Sequence, residues 1–388
     1  MRHFQREAGR LGRRSVTDMA MRTSVSGYIP TLDGWRCLSI VGVMIAHGAN
    51  SVLQLSGTYS RLTEYGALGV DIFFAISGFL ISSRLIEEHH RFGRIGLGGF
   101  YIRRAFRILP PYFLCVGGIA LLTAAGLLTV HRWEWLGCLF FFRNYVPSQL
   151  GGWYTGHFWS LAVEEHFYLI WPGLLVLCGL RRARRWIPVL ALAVAIWRAL
   201  EFRLQIGTHL IPGLGFYSRT DIRFDALLWG CWAALVFPEL RDRSSWFRPA
   251  LWAGLAAGFV FCVVFKPPFA SCWQAAIVPL LLVGTILHPG SWAGRVLELA
   301  PLRWIGTISY SLYLWQQVFL VGEKAIPHSL GILQSFPFNV VAVFGCASFS
   351  YYLVERPLIK IGYQVAKPIK AGRDDRALAM SGNAASPL

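Results

Sequence analysis

Charged residues are scarce in this 388-residue chain. Asp, Glu, Lys and Arg make up only 15% of it, and acidic residues are the rarer kind, with 20 against 37 basic ones. Soluble globular proteins carry nearer to a quarter of charged residues. Hydrophobic residues reach 55%, and the mean hydropathy is +0.48. This balance excludes an ordinary soluble domain and indicates several membrane-spanning segments.

Metal-ligand and disulfide patterns are also missing. The eight cysteines are scattered through apolar runs, and none belongs to a CxxC or CxxH pair. We interpret them as small packing residues and predict neither a disulfide framework nor a metal site. The start of the chain contains no apolar core, so we expect no secretory signal. No tandem repeat is visible, which excludes solenoids and propellers.

What the chain has instead is a series of apolar runs that approach the ~20 residues a helix needs to cross a bilayer. Two runs are weaker, because one contains Arg198, Glu201 and Arg203 and the other, 222–238, has a short apolar core. The sequence therefore predicts an all-α, polytopic membrane protein with about ten transmembrane helices. The runs are 37–55, 68–86, 108–130, 159–178, 187–205, 222–238, 249–265, 272–288, 304–322 and 337–355.

The distribution of basic residues predicts the topology. If the N-terminus is inside, the inner segments hold 26 Lys or Arg and the outer loops hold 6. Because cytoplasmic loops are enriched in Lys and Arg, this ratio favours ten spans with both termini cytoplasmic. It also accounts for the net charge of +17 as a consequence of topology, so we predict no nucleic-acid partner.

Three segments are predicted along the chain. Residues 1–28 are interpreted as a flexible basic cytoplasmic tail, 29–366 as the membrane domain, and 367–388 as a disordered cytoplasmic tail. The longest outer segment, 131–157, is rich in Trp and Phe and is predicted to include a re-entrant or surface helix. We expect no second, extracytoplasmic domain.

Several ionisable residues fall inside or at the edge of apolar runs. Each costs about 2.5–3.5 kcal/mol at the centre of a membrane helix, so these residues must face one another or a wet cavity. They are therefore functional candidates, and the alternative for any one of them is an interhelical ion-pair network. The residues are Asp71, Glu164, Glu165, Arg198 and Asp225.

The run RCLSIVGVMIAH begins with Arg36 and ends with His47. Eleven residues of α-helix make about three turns and rise about 16 Å, so the two polar side chains share one face. A histidine at this depth is costly unless it faces a polar interior, which indicates a general base. The alternative is a packing histidine with satisfied hydrogen bonds.

Two polar stripes follow helical spacing. Ser160, Glu164 and Tyr168 are four residues apart, and Ser309, Tyr313 and Gln316 or Gln317 form a similar row. Helix depth allows Glu164 and His47 to reach a similar level, and Asp71 is a competing partner for the histidine. For the second stripe, the alternative is hydrogen bonding that only holds helices together.

An arginine cluster lies at the predicted inner end. The stretch FYIRRAFRILPPY places Arg103, Arg104 and Arg107 at a helix start, with the last two one turn apart. Guanidinium groups bind phosphates through paired hydrogen bonds, although such residues also serve as plain topological anchors. With Arg36 they offer a docking patch for a phosphate-rich cytosolic ligand with a long thin arm, the shape of a coenzyme A thioester.

Seven sequence blocks resemble the integral-membrane acyltransferase family 3, bacterial enzymes that O-acylate surface glycans, nodulation factors, peptidoglycan and macrolide sugars. The blocks run in family order over almost the whole chain, so the resemblance is specific. They are IPTLDGWRCLSIVGVMIAH (29–47), GVDIFFAISGFLIS (69–82), FYIRRAFRILPPY (100–112), FWSLAVEEHFYLIWP (158–172), DIRFDALLWG (221–230), IGTISYSLYLW (305–315) and SYYLVERPL (350–358).

The resemblance implies roles for five residues. The Arg-x10-His pair of the family falls on Arg36 and His47, its Arg-x-x-Arg pair on Arg104 and Arg107, and the first glutamate of its Trp-Ser-Leu block on Glu164. It also implies a protein of ten transmembrane spans, which transfers an acyl group from cytosolic acyl-CoA to an acceptor hydroxyl at the outer face.

The chain departs from the family at one position. The family commonly continues Tyr-Leu-Trp with a histidine, where this chain has Gln316. If that histidine contributes to acceptor binding, the acceptor here differs, although a glutamine still donates and accepts hydrogen bonds.

Our hypothesis is an O-acyltransferase of the bacterial inner membrane, most simply one that uses acetyl-CoA. His47 deprotonates the acceptor hydroxyl and is oriented by Glu164 or Asp71. Arg36, Arg104 and Arg107 hold the phosphates of the donor, and no metal is required. The acceptor is a saccharide or glycolipid, and the oligomeric state stays open. Acceptor contacts are predicted for Trp159, Ser160, Tyr313 and Gln316.

Two other classes of protein fit part of the pattern. A proton-coupled secondary transporter of an anionic solute would use the buried carboxylates and His47 as a proton relay. Inverted repeats would favour a transporter, and the sequence shows none. A non-catalytic scaffold has little reason to keep so many intramembrane charges.

Overall fold

The structure, a computed structural model, describes residues 27–52, 59–210, 213, 215, 218–243, 249–321 and 329–366. Regular secondary structure in these ranges is helical, with no strand, which confirms the predicted all-α class. The predicted C-terminal tail, 367–388, lies outside the described residues, as does all of the predicted N-terminal tail except its last two residues.

Thirteen α-helices are distinguished in the described residues. A π-helical turn, Ser350–Glu355, follows the last of them, and the helix then continues to residue 366. The helices are α1 (Pro30–Val52), α2 (Tyr59–Phe92), α3 (Leu97–Ala124), α4 (Arg132–Leu139), α5 (Phe158–Leu204), α6 (Ile206–Leu210), α7 (Thr220–Asp242), α8 (Pro249–Phe265), α9 (Ala270–Leu287), α10 (Trp292–Leu297), α11 (Ala300–Thr307), α12 (Ser309–Phe319) and α13 (Phe338–Phe349).

Four helical segments of the described chain are long and apolar enough to cross a membrane. They are Leu68–Phe92 within α2, all of α3, all of α9, and Phe338–Ala366, while α8 is apolar but shorter. Other helices, such as α7, carry several ionisable side chains, so composition alone does not identify them as spans. The count of ten spans and the orientation of the termini therefore stay predictions.

A single glycine separates two of the predicted apolar runs. The sequence predicts an inner segment, 179–186, between the runs 159–178 and 187–205. In the structure α5 covers both runs up to Leu204, and its helical backbone is broken only at Gly179, whose φ is 72° and ψ is 157°. This region of backbone space is essentially restricted to glycine. The basic residues that follow Gly179 are consequently helical rather than part of a loop.

The chain folds into two compact units. The first unit comprises the described parts of residues 1–46, 56–95 and 131–309, and the second comprises those of 47–55, 96–130 and 310–388. In the first unit, α2 and α7 approach each other at two glycines. A Cβ on Gly78 would lie 2.1 Å from the carbonyl oxygen of Leu227, and one on Gly230 would lie 2.3 Å from that of Ala75. Small residues thus allow backbone-to-backbone contact, as in many membrane helix pairs.

The second unit contains the end of α1, from His47 onward, together with α3, most of α12, and α13 with its π-helical turn. Gly118 of α3 faces the indole ring of Trp315, and a Cβ there would approach the ring to 2.8 Å. The Ser311 hydroxyl donates a hydrogen bond of 2.9 Å to the buried carboxylate of Glu355 in the π-helical turn. A glycine contact and a buried polar contact therefore hold α3, α12 and α13 together.

Candidate active site

Helix α1 contains both residues of the predicted Arg-x10-His pair. It begins at Pro30, which suits the first helical position because its missing N–H needs no partner there. Asp33 lies in the first turn, where an acidic side chain is favoured by the helix dipole. The helix runs on without a described break, so Arg36 and His47 share one continuous helix, as predicted.

In the second unit, His47 is hydrogen-bonded to Gln316. Its Nδ1 lies 2.9 Å from the Oε1 of Gln316, on α12. The glutamine side chain is fully buried, and its Nε2 has no hydrogen-bond partner among the described residues. A buried amide oxygen therefore faces one nitrogen of the imidazole ring.

In a neutral His47, this contact decides which ring nitrogen is protonated. A carbonyl oxygen only accepts hydrogen bonds, so with the amide in this orientation the neutral ring carries its proton on Nδ1, which donates a hydrogen bond to Gln316. The Nε2 of the ring then keeps its lone pair and is able to accept a proton from a hydroxyl group. The sequence analysis assigned Gln316 to the acceptor and did not identify it as a partner of the histidine.

In the first unit, the structure confirms part of the predicted stripe on α5. The Tyr168 hydroxyl donates to Glu164 at 2.5 Å, and the Ser77 hydroxyl donates to the same carboxylate at 3.0 Å. The Ser160 hydroxyl lies 3.4 Å from the carbonyl oxygen of His157, one turn before it. Glu164 is thus held by two hydroxyl donors, an arrangement that stabilises an ionised carboxylate.

Asp71 belongs to a group of buried ion pairs in the first unit. Its carboxylate lies 2.6 Å from the guanidinium of Arg223, with both side chains about 10% exposed. The same guanidinium lies 5.4 Å from the ring centre of Trp159, and Arg198 pairs with the buried Asp225. For Asp71, Arg198 and Asp225, the structure therefore shows the interhelical ion-pair network that the sequence analysis held as the alternative.

The predicted arginine patch is divided between the two units. In the first, Arg36 pairs with Asp33 at 2.7 Å, and Asp33 also accepts a hydrogen bond of 2.5 Å from the Tyr28 hydroxyl. Burial and this neighbouring carboxylate raise the pKa of Tyr28. In the second unit, Arg104 and Arg107 lie one turn apart on α3 and are only partly buried.

One buried cluster escaped the sequence analysis. Glu134 and Arg143 lie in the predicted outer segment, where the Arg143 Nε donates a hydrogen bond of 3.0 Å to Thr155 and its guanidinium lies 3.4 Å from Glu134. Thr155 in turn donates to Glu134. Glu134 stands at the third position of α4 and accepts from the backbone N–H of His131, a capping pattern that sequence reading can detect. This cluster braces the segment that leads into α5.

The described residues contain no group of three His, Cys, Asp or Glu side chains that could hold a metal ion. All eight cysteines lie within the described ranges, and none of them forms a disulfide there.

Comparison with known proteins identifies the family. A family model described as an acyltransferase domain matches residues 29–355. The chain belongs to acyltransferase family 3. The match includes all ten residues predicted to act in catalysis or binding, and it confirms the resemblance seen in the seven sequence blocks.

Two curated relatives of this acyltransferase are O-acetyltransferases by name. The peptidoglycan O-acetyltransferase OatA of Listeria monocytogenes is 29% identical over 376 residues, covering 87% of this chain and 56% of the relative. The O-acetyltransferase OatA of Staphylococcus aureus is 29% identical over 368 residues, covering 87% and 58%. The chain thus spans a little over half the length of these relatives. No solved structure matches it.

Proposed function

We propose that this protein is a multi-pass membrane O-acetyltransferase of the bacterial inner membrane. It transfers an acetyl group from cytosolic acetyl-CoA to a hydroxyl group of a saccharide or glycolipid at the outer face. Family membership supports the reaction class, and the names of the relatives support acetyl as the group and a peptidoglycan-like saccharide as the acceptor.

The hydrogen bond between His47 and Gln316 is the observation that carries the mechanism. With Nδ1 donating to the amide oxygen, Nε2 removes the proton of the acceptor hydroxyl as its oxygen attacks the thioester carbonyl carbon. The new carbon–oxygen bond forms, the carbon–sulfur bond breaks, and the proton passes from His47 to the departing thiolate. Gln316 takes the orienting role that the sequence analysis gave to Glu164 or Asp71.

The remaining predicted residues keep their proposed roles. Arg36, Arg104 and Arg107 bind the phosphates of the donor, for which guanidinium groups are suited. Glu164 stays a proposed catalytic residue, supported by the two hydroxyl groups that donate hydrogen bonds to its carboxylate. Trp159, Ser160 and Tyr313 contact the acceptor. In the proposed topology of ten spans with cytoplasmic termini, the donor binds from the cytoplasmic face and the acceptor from the outer face.

Transfer of labelled acetyl groups in membrane vesicles tests the proposal. Vesicles containing the protein should acetylate peptidoglycan fragments when acetyl-CoA is supplied on the cytoplasmic side. Replacing His47→Ala should lower the rate by about 100-fold or more, because general-base catalysis contributes about 10²–10⁴-fold. His90→Ala is the matched control, since this exposed histidine lies in the last turn of α2.

Two results contradict the proposal. Normal transfer by a His47→Ala variant of equal abundance excludes His47 as the base. Uptake of an anionic solute coupled to a proton gradient, without acetylation of any acceptor, favours the transporter instead.

A further inference from the structure

A large apolar groove lies within the second unit. It has a volume of about 940 Å³, within the usual range for ligand sites. Its walls come from the second half of α3 and from α13, and Trp315 of α12 contributes to its lining. The lining residues are Phe113, Leu114, Gly117, Gly118, Ala120, Leu121, Ala124, Trp315, Gly345, Cys346 and Phe349.

Glycines create the space in this groove. A Cβ built on Gly117 or Gly345 meets no heavy atom of the described residues within 4 Å. Gly118 instead lets the Trp315 ring approach α3 closely. The groove is therefore open at two points where most other residue types would partly fill it.

The chemistry of the lining selects a hydrocarbon chain. None of the lining residues is ionisable except Cys346. Phe113, Leu121 and Phe349 are 42%, 75% and 56% exposed, and they belong to the two span-length segments that face the bilayer in the proposed topology. A groove of this composition offers no partner to a phosphate or a sugar, but it packs well against methylene groups.

One residue of the groove lining is a sequence neighbour of the residue that contacts the proposed base. Trp315, in its lining, directly precedes Gln316, which holds His47 within the same unit. In the proposed topology, the lining part of α3 lies toward the outer face, where the acceptor is located, and the lining residues of α13 lie in its second half.

We propose that this groove binds the hydrocarbon chain of a lipid-linked saccharide acceptor and so places the sugar near His47. This inference rests on the proposed function and names the class of its acceptor. The arm of an acetyl-CoA donor carries polar amide groups, which this apolar lining does not suit as well as a hydrocarbon chain. Because the chain moves from lipid rather than from water, the benefit is packing and positioning of the head group.

Acceptors that differ only in chain length test the inference. Methyl and dodecyl glycosides of N-acetylglucosamine are compared in nanodiscs, and KM is measured for each with acetyl-CoA saturating. In Gly117→Leu and in Gly345→Leu, the leucine fills the groove from opposite walls. Each variant should raise the dodecyl-to-methyl ratio of KM at least about fivefold above that of the wild type, since lost packing contacts add up over many atoms.

Gly254→Leu on α8 is the matched control. Its Cβ also meets no heavy atom of the described residues within 4 Å, and Gly254 lies outside the second unit. It should leave the ratio unchanged. Partition of the dodecyl chain into the bilayer affects all variants equally and cancels in this comparison. An unchanged ratio in both groove variants overturns the inference.

Photo-crosslinking measures chain binding without any need for turnover. A dodecyl glycoside with a diazirine in its chain should label residues 113–124 and 345–349 in the wild type, and Gly117→Leu should lose this labelling. Equal labelling by a diazirine phosphatidylcholine identifies a general lipid contact and overturns the inference. Groove labelling without acetyl transfer refutes the proposed function alone, whereas transfer without groove labelling refutes the inference alone.

Discussion

Replacing Asp71→Asn should destabilise the protein strongly, because it leaves a buried charge without a partner. Asp71 and Arg223 form an ion pair of 2.6 Å with both side chains about 10% exposed, beside the buried pair of Arg198 and Asp225. The four charges sum to zero, and the substitution leaves a net charge of +1 in the interior. Removing one partner of a buried pair costs about 3–5 kcal/mol.

The double variant Asp71→Asn/Arg223→Gln should recover most of that loss, because it removes both charges together. Thermal unfolding of the detergent-solubilised protein measures the single and double variants as a cycle. Glu239→Gln is the matched control, since the pair of Glu239 with Arg184 is about 45% exposed. Breaking an exposed pair costs about 0–1 kcal/mol and should barely move the unfolding temperature.

The same cycle separates a structural from a catalytic role for Asp71. If Asp71 orients His47 instead, Asp71→Asn abolishes acetyl transfer at an unchanged unfolding temperature, and adding Arg223→Gln restores nothing. An unfolding temperature that does not fall in Asp71→Asn refutes the ion-pair reasoning.

Three further predictions concern helix contact, donor binding and the outer segment. Gly78→Val should keep α2 from approaching α7 at the Leu227 carbonyl and so lower the yield of folded protein, as measured by size-exclusion chromatography. Gly173→Val is the control, because its Cβ has open space around it, and its folded yield should equal that of the wild type. The double variant Arg104→Ala/Arg107→Ala should raise KM for acetyl-CoA about tenfold with little change in kcat. Because salt screens exposed charges, the difference in KM between the variant and the wild type should become smaller at high salt. Glu134→Ala should leave a buried arginine unpaired, cost about 3–5 kcal/mol, and make the outer segment sensitive to added protease.

The candidate site residues could be singled out from the sequence because polar and charged side chains within apolar runs cost free energy unless they are paired or hydrated. A histidine within an apolar run and carboxylates beside tryptophans need a compensating environment, and this need is visible without coordinates. The seven sequence blocks added the reaction class. The all-α class and the family were therefore predicted from the chain alone and are confirmed.

Partnerships across the chain were not predictable in the same way. His47 and Gln316 are 269 positions apart, and Asp71 and Arg223 are 152 apart, so no local periodicity connects either pair. For each carboxylate, spacing alone left both a catalytic partner and an ion pair possible. For Asp71 the structure shows an ion pair, because Arg223 of α7 lies against α2 there.

The sequence by itself determined the helical class, the membrane character and the family of this chain, and it singled out His47 within an apolar run. Composition and helix period suffice for the helical membrane class, since both depend on neighbours within a few turns, whereas the family follows from the seven sequence blocks. Only the tertiary structure decided that an amide oxygen contacts the histidine and that glycines leave a groove open between α3 and α13. Contacts of this kind depend on how distant helices pack, which is a property of the whole fold.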